Sequence, residues 1–184
     1  ICVLQLNDGV LFRTRRFVPD YRYTQSFLGS RGFDEVVILD ITRDGLGQRE
    51  NFYAAAKRYA QECFCPIAIG GHIRDMKEID YLAKEIGADK VVVGAELWRR
   101  PEFGREIAGK WGRQFLTAAL DFVNDTAMAD QGEDCKGLLV ECAAQMLIED
   151  GAGEILLTSI ARDGSLDGYD LDVLRDVAAA VNVP

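Results

Sequence analysis

The sequence of 184 residues predicts an α/β fold in which parallel strands alternate with helices. Short apolar runs alternate along the chain with longer amphipathic segments, which is typical of consecutive βα units. The runs are nearly unbroken and rich in valine, isoleucine and leucine, as in strands that are buried on both faces of a parallel sheet. Polar, glycine-containing loops follow the runs, and the chain has the character of a single domain.

Each apolar run predicts a strand, and each amphipathic segment predicts a helix. The predicted strands are Cys2–Leu6, Glu35–Asp40, Pro66–Ile69, Lys90–Val93, Phe115–Leu120 and Glu154–Thr158. The predicted helices are Thr24–Ser30, Arg49–Glu62, Met76–Ile86, Pro101–Trp111, Leu138–Asp150 and Leu171–Ala180. Asp125–Lys136 has the composition of a loop, and we interpret it as an insertion after the fifth strand.

An internal repeat selects between two sheet architectures. Phe33–Gly45 (FDEVVILDITRDG) returns as Ala152–Gly164 (AGEILLTSIARDG), at an offset of 160 − 41 = 119 residues. That offset equals about four βα units of roughly 30 residues each, which is half of a (β/α)8 barrel. An open, doubly wound sheet of six strands would also fit the elements, but the repeat favours the barrel. Residues 1–184 then form one partial barrel domain of about six units, truncated before strands seven and eight.

Composition excludes several classes of function. The formal net charge of −9 argues against broad binding of nucleic acid or of anionic membranes. No apolar run approaches the length of a membrane span, and the opening residues ICVLQL lack the features of a signal peptide. With five cysteines, one histidine and no metal-type spacing, we expect no metal site and reduced thiols in a cytoplasmic protein.

Five segments carry a resemblance to a known family. They are GAGEILLTSIARDGSLDGYDLD (151–172), LQLNDGVLFRT (4–14), DEVVILDIT (34–42), PIAIGGHIRD (66–75) and ADKVVVG (88–94). Together they resemble the cyclase subunit of imidazole glycerol phosphate synthase, the HisF family of histidine biosynthesis. The resemblance implies a twofold-repeated (β/α)8 TIM barrel without a cofactor. It also implies a heterodimer with a glutaminase (HisH-like) subunit, whose ammonia reaches a phosphorylated ribulosyl substrate.

The resemblance implies two aspartates that transfer protons, at the ends of strands one and five. Asp121 matches the strand-five aspartate, and a carboxylate in a partly dry pocket can have the raised pKa that proton transfer needs. Gln5 stands at the strand-one position, where an amide cannot transfer a proton at neutral pH. His72 is a candidate replacement, because the unperturbed pKa of histidine is about 6.5. Alternatively, His72 binds a phosphate or fills the pocket.

Further positions match substrate-binding residues of the family. Asp8 is a supporting residue in the first loop, and Arg13 replaces a lysine that contacts substrate. The resemblance places two phosphate sites on loops that follow strands, where glycines let backbone amides approach an anion. The matching positions are Gly70, Gly71 and Gly94 for one site and Asp163 and Gly164 for the other.

Charged residues directly before three strands match the family's ammonia gate. Glu35, Lys90 and Glu154 precede the apolar runs of strands two, four and six, so we expect them to converge at the amino-terminal mouth of the barrel. Burying a charged side chain costs free energy unless the charge is paired. Three such residues before strands therefore favour a retained function as the gate. Asp89 matches a family residue that faces the glutaminase.

The resemblance predicts an ammonia-dependent cyclase, a carbon–nitrogen lyase, of histidine biosynthesis. Gln5, His72 and Gly94 depart from the family pattern, so an alternative is a HisF-like paralogue that channels ammonia for amidination of a surface-polysaccharide sugar. An alternative of another class is a non-catalytic partner subunit or a defective fragment. The related isomerase of the same pathway is less favoured, because LLTSIARDG and the gate residues match HisF.

Overall fold

A computed structural model describes residues 1–23, 32–43 and 47–184, apart from the side chain of Gln131. The chain divides into two compact units. Unit 1 comprises Ile1–Thr14 and Pro19–Val91, and unit 2 comprises Arg15–Val18 and Val92–Pro184. The predicted helix Thr24–Ser30 and the Asp44-Gly45 pair of the first repeat lie outside the described residues.

Unit 1 is built on parallel strands that follow one another in the chain. Its strands are β1 (Cys2–Asn7), β2 (Val10–Arg15), β3 (Val18–Arg22), β4 (Val36–Asp40), β5 (Ile67–Gly70) and the start of β6 (Lys90–Val93). β1 pairs in parallel with β4, and β4 pairs in parallel with β5. β2 pairs antiparallel with β1 and carries β3 on its other side. The first strand is therefore followed by a hairpin rather than directly by a helix.

The helices of unit 1 follow the predicted amphipathic pattern. Helix α1 (Arg49–Glu62) buries Phe52, Ala55, Ala56 and Tyr59, whose spacing places them on one face. Helix α2 (Met76–Tyr81) begins at Asp75, whose Oδ1 accepts a hydrogen bond from the Glu78 amide at 2.9 Å. It continues as a π-helical turn over Leu82–Ile86 and ends at Gly87, whose φ of +93° is favourable only for glycine.

Unit 2 repeats the strand–helix alternation. Its strands are β7 (Leu116–Val123), β8 (Thr126–Ala129), β9 (Asp134–Leu139) and β10 (Glu154–Ser159). Its helices are α3 (Ala95–Arg99), α4 (Pro101–Trp111), α5 (Val140–Glu149) and α6 (Leu171–Ala180). β10 pairs in parallel with β7 in a register that sets Thr158 opposite Asp121. The Ile155 amide donates to the Pro184 carbonyl at 2.9 Å, so residue 184 lies beside the start of β10.

The loop predicted over Asp125–Lys136 is wrong. β8 and β9 form an antiparallel hairpin that continues from β7 through a turn at Asn124. Along β8, Ala127 and Ala129 are buried while Thr126 and Met128 are less so, which is the alternation of a strand. The small alanines and the surrounding acidic residues hide this period in the sequence. The helix predicted from Leu138 begins at Val140, because Leu138 and Leu139 complete β9.

The predicted α/β class, with parallel strands covered by helices, is confirmed. Each unit buries its own apolar side chains between strands and helices, led by Leu6, Ile38 and Phe52 in unit 1 and by Phe103 and Phe122 in unit 2. The order of parallel strands within each unit matches that of consecutive units in a HisF-type (β/α)8 barrel. No helix within residues 1–23, 32–43 and 47–184 is both long and apolar enough to cross a membrane.

Candidate active site

Asp121 lies near the carboxyl end of β7, where parallel α/β folds place their ligand-binding residues. Its side chain is partly withdrawn from solvent. Loss of hydration raises the pKa of Asp121 to about 7, the negative charge of Asp163 adds to the rise, and a hydrogen bond from Thr158 opposes it. A carboxyl group with this pKa is present in both protonation states at neutral pH. Asp121 can therefore both donate and accept a proton.

Asp163 holds a turn of unit 2 through backbone hydrogen bonds. Its Oδ2 accepts from the Phe17 amide at 2.9 Å, and its carbonyl oxygen accepts from the Arg16 amide at 3.1 Å. Arg16 and Phe17 both have positive φ, of 51° and 63°. The carboxylate of Asp163 therefore orders residues 15–18. Because a carboxylate repels an anion, an anion in this loop would be bound by backbone amides and not by the Asp163 side chain. Gly164, with φ +63°, turns the chain directly after it.

Gly94 connects β6 to α3 and leaves room for a side chain. A Cβ atom added at Gly94 would lie 3.5 Å from Ala119 Cβ, which is an ordinary van der Waals contact. There is therefore space for a small side chain at this position.

Gln5 makes two hydrogen bonds within the β1–β2 hairpin of unit 1. Its Oε1 accepts from the Thr14 hydroxyl at 2.9 Å and from the Thr14 amide at 3.2 Å. Thr14 is buried, with 2% of its surface exposed. The Gln5 amide thus joins β1 to β2 by hydrogen bonds, a role that needs no proton transfer.

Asp8 and Arg13 also make local contacts in unit 1. Asp8 Oδ1 accepts from Asn51 Nδ2 at 2.8 Å and from the Gln48 amide at 3.0 Å, and these bonds lower the pKa of Asp8. Asp8 therefore joins the loop after β1 to the start of α1. Arg13 Nη2 contacts Asp20 Oδ2 at 2.6 Å, in an exposed ion pair between neighbouring strands.

The loop after β5 packs closely against the end of β4. A Cβ atom at Gly71, whose φ is +94°, would lie 2.2 Å from the Asp40 carbonyl oxygen, so this position requires glycine. His72 follows with a φ of +55°, a left-handed conformation that is uncommon for residues other than glycine. His72 lines a cavity of about 300 Å³ together with Arg43 and Arg74. Gly70 ends β5, and Gly71 and His72 form a tight turn beside this cavity, which Asp40, Arg49 and Glu78 also line.

Arg49 fixes this turn, and the sequence alone did not single it out. Its guanidinium donates to Gly71 O at 2.6 Å, to Asp40 Oδ2 at 2.6 Å and, through Nε, to Glu78 Oε1 at 2.9 Å. It also lies 4.6 Å from the ring centre of Phe52. The sequence gives one signal for this cluster. Arg49 is the first residue of α1, and the preceding strand β4 ends in Asp40.

Two of the predicted gate residues form an ion pair. Lys90 Nζ lies 3.1 Å from Glu35 Oε1, and both side chains are about one-fifth exposed, at 20% and 18%. Glu154 belongs to unit 2, where its Oε2 accepts from the Thr117 hydroxyl at 3.1 Å. The pairing of Glu35 with Lys90 agrees with the expectation for buried charges. Convergence of all three at one mouth stays a prediction.

Asp89 has a structural contact of its own. Its Oδ2 accepts from the Ile67 amide at 2.9 Å, at the start of β5. The carboxylate thereby links the amino-terminal ends of β5 and β6 within unit 1. Its predicted role toward a glutaminase stays a prediction.

Comparison with known proteins now assigns the family. A family model described as "Histidine biosynthesis protein" matches residues 2–184. The chain belongs to the histidine biosynthesis protein family. Within this family it is similar to the imidazole glycerol phosphate synthase subunit HisF of Thermobifida fusca strain YX, with 37% identity over 96% of this chain and 72% of that protein. The HisF subunits of Streptomyces avermitilis and Streptomyces coelicolor are each 37% identical over 96% of this chain and 71% of their own length.

Membership of the histidine biosynthesis protein family confirms the resemblance that the sequence motifs indicate. The individual roles of the candidate residues stay predictions. Within the part of the chain that the structure describes, no group of three or more histidine, cysteine, aspartate or glutamate side chains is close enough to hold a metal ion. The structure brings Asp121, Thr158 and Asp163 together in unit 2 and Gly71 and His72 together in unit 1.

Proposed function

We propose that this chain is the cyclase subunit of imidazole glycerol phosphate synthase and acts in histidine biosynthesis. The chemistry is that of an ammonia-dependent carbon–nitrogen lyase, which takes ammonia from a glutaminase (HisH-like) partner. The substrate is a phosphorylated ribulosyl compound. The observation that carries the proposal is Asp121, a carboxyl group with a pKa of about 7 at the end of a parallel strand. The names of the similar proteins, each a subunit of this synthase, support the synthase assignment and the presence of a partner subunit.

Asp121 supplies the proton transfers of the proposed reaction. Formation of a carbon–nitrogen bond from ammonia releases protons from nitrogen, and cleavage of another carbon–nitrogen bond requires a proton on the leaving nitrogen. A group that is half-ionised near neutral pH can accept the first proton and donate the second. Thr158 holds the carboxylate by a hydrogen bond, and Asp163 raises its proton affinity through its charge.

Gln5 leaves this chain without the second carboxylate. An amide can bind the substrate by hydrogen bonds but cannot exchange a proton at neutral pH. His72 is our candidate for the second acid–base group, because an imidazole ring can both donate and accept a proton and the side chain lines the cavity of unit 1. The alternative role for His72 is to donate a hydrogen bond to a substrate phosphate.

Phosphate binding is assigned to the glycine-containing turns. Gly70 and Gly71 offer a tight backbone turn, and Gly164 offers a second turn after Asp163. Arg43 and Arg74 add positive charge around the first turn. Glu35, Lys90 and Glu154 are proposed as gate residues for ammonia, and Asp89 as a contact for the glutaminase.

The test is an assay of cyclase turnover with ammonium salt and the phosphoribulosyl substrate. We expect Asp121→Asn to lower turnover by a factor on the order of 10²–10⁴, the usual contribution of a positioned acid–base group. Asp176→Asn, an exposed aspartate on α6, is the matched control and should retain wild-type turnover. Equal turnover in the two variants would remove Asp121 from the mechanism.

A second candidate function is a HisF-like paralogue, or a non-catalytic subunit, that activates a glutaminase. The two hydrogen bonds that commit Gln5 to Thr14 favour it, because they give this residue a purely structural role. The same assay separates the candidates. A wild-type chain that stimulates glutamine hydrolysis by a partner, yet leaves the phosphoribulosyl substrate unchanged, would support the paralogue.

A further inference from the structure

Two cysteines of unit 1 lie next to one another in space. Cys63 and Cys65 occupy the connection between α1 and β5, and their sulfur atoms are 3.3 Å apart. All five cysteines of the chain, each within the described residues, are free thiols. The histidine biosynthesis role makes no use of this pair, which is the only closely spaced one in the sequence.

The backbone places the two thiols on the same side. Cys63 ends helix α1 in an extended conformation, with φ −100° and ψ 133°. The chain bends at Cys65, and the sulfur–sulfur distance of 3.3 Å places both thiols on one side of the connection. Phe64, between them, is fully exposed.

Closing the bond needs little movement. The sulfur atoms, 3.3 Å apart, would have to approach by about 1.3 Å to reach the roughly 2.05 Å of a disulfide. We expect rotation of the two side chains to contribute to this approach. Burial raises the pKa of the Cys65 thiol, and its contact with Cys63 raises it further. Cys65 is therefore largely protonated at neutral pH, and we assign the first attack to Cys63 and the second, intramolecular attack to Cys65.

We propose that Cys63 and Cys65 form a dithiol site that closes to an intramolecular disulfide by exchange with a small disulfide such as oxidised glutathione. The Cys63 thiolate attacks one sulfur of the reagent and releases one glutathione thiolate. The Cys65 thiol then loses its proton and attacks the Cys63 sulfur of the mixed disulfide, releasing the second glutathione. Two electrons and two protons pass from the protein to the reagent, which leaves as two glutathione molecules.

The experiment starts from the fully reduced, folded chain. It is incubated with oxidised glutathione, quenched in acid, alkylated, and analysed by intact mass and by peptide mapping. We expect the wild-type peptide that contains Cys63 and Cys65 to lose two hydrogen atoms, with the bond mapped to these two residues, whatever adducts the exposed cysteines carry. Cys65→Ser should instead retain a stable glutathione adduct on Cys63, because no second thiol can release it. Cys142→Ser, which removes an exposed cysteine elsewhere, should behave as the wild type.

A comparison with the unfolded chain separates the native geometry from mere closeness in sequence. The equilibrium constant for ring closure should be about tenfold or more larger in the folded chain than in urea, because the fold holds the thiols in contact. Equal constants, or a wild-type chain that ends with glutathione on both cysteines, would overturn the proposal. Circular dichroism of each variant establishes that it is folded.

Discussion

At the scale of single residues, the side chain of Asp121 is partly buried and lies near a second carboxylate. Loss of hydration and the nearby carboxylate of Asp163 both favour its protonated form, and only the Thr158 hydroxyl favours the ionised form. The same environment that makes the carboxyl group useful for proton transfer makes its ionised form unfavourable in the folded state. Stability and reactivity are therefore opposed at this residue.

This opposition predicts a pH-dependent stability. The folded pKa of about 7 lies above the unfolded value of about 3.9, so the stabilising contribution of the protonated group is complete below pH 4 and is lost as pH rises through 7. Relative to Asp121→Asn, the wild-type chain should lose up to about 4 kcal/mol of unfolding free energy between pH 4 and pH 8. Urea unfolding of both chains at several pH values measures the difference. A difference that does not change with pH would contradict the assignment.

Gln5 gives a second prediction at this scale. Gln5→Asp shortens the side chain and weakens its bonds to Thr14, which should cost about 1 kcal/mol of unfolding free energy. It also supplies a titratable carboxyl group, so ammonia-dependent turnover should rise about tenfold or more. Gln5→Asn shortens the side chain equally without adding an acid and is the control. Equal turnover of the two variants would show that the missing carboxylate does not limit the reaction.

At the scale of elements, the turn after β5 depends on a glycine and on an arginine from α1, the helix that precedes β5. Gly71→Ala should lower the unfolding free energy by about 3 kcal/mol, because its methyl group would overlap the Asp40 carbonyl and its φ is positive. His72→Gly, one residue later, should instead relieve about 1 kcal/mol of backbone strain. Thermal unfolding compares the two variants. If His72 is an acid–base group, its replacement should also lower turnover, whereas unchanged turnover would exclude that role.

Arg49 connects α1 to β4, to the turn and to α2. Its replacement by methionine leaves the carboxylates of Asp40 and Glu78 without their shared cation, and their side chains are only 4% and 14% exposed. We expect a loss of about 3–5 kcal/mol in unfolding free energy, measured in urea. Lys57→Met, on the exposed side of α1, is the control and should change stability little. A loss no larger than that of the control would show that the cluster contributes nothing.

At the scale of the whole molecule, the ion pair of Glu35 and Lys90 belongs to the proposed route of ammonia. Lys90→Met should lower glutamine-dependent turnover while leaving turnover with added ammonium salt near the wild-type value, because only the delivery of ammonia changes. Lys77→Met, an exposed lysine on α2, is the control. Equal loss with both nitrogen sources would mean that the pair supports the fold and not the delivery.

The sequence predicts the parallel strands of both units well, because their continuous apolar runs are set by burial on two faces. It predicts Asp121 and the glycine turns because short motifs carry them. It does not predict the Arg49 cluster, whose partners Asp40, Gly71 and Glu78 are 9, 22 and 29 residues away. The sequence also does not predict the bonds of Gln5 to Thr14 or the β8–β9 hairpin. Both depend on how two strands pair, which the local sequence pattern does not specify. That residues 1–184 act as one partial barrel domain stays a prediction.

The contact of Asp163 with residues 15–18 has a practical consequence. Because the anchor uses the main-chain N–H groups of Arg16 and Phe17, the outward-facing side chain at position 16 is not needed for it. A fluorescent amino acid could therefore be introduced at position 16 without breaking these hydrogen bonds. Its emission would report optically on any molecule that arrives beside Asp121 and disturbs the neighbouring carboxylate.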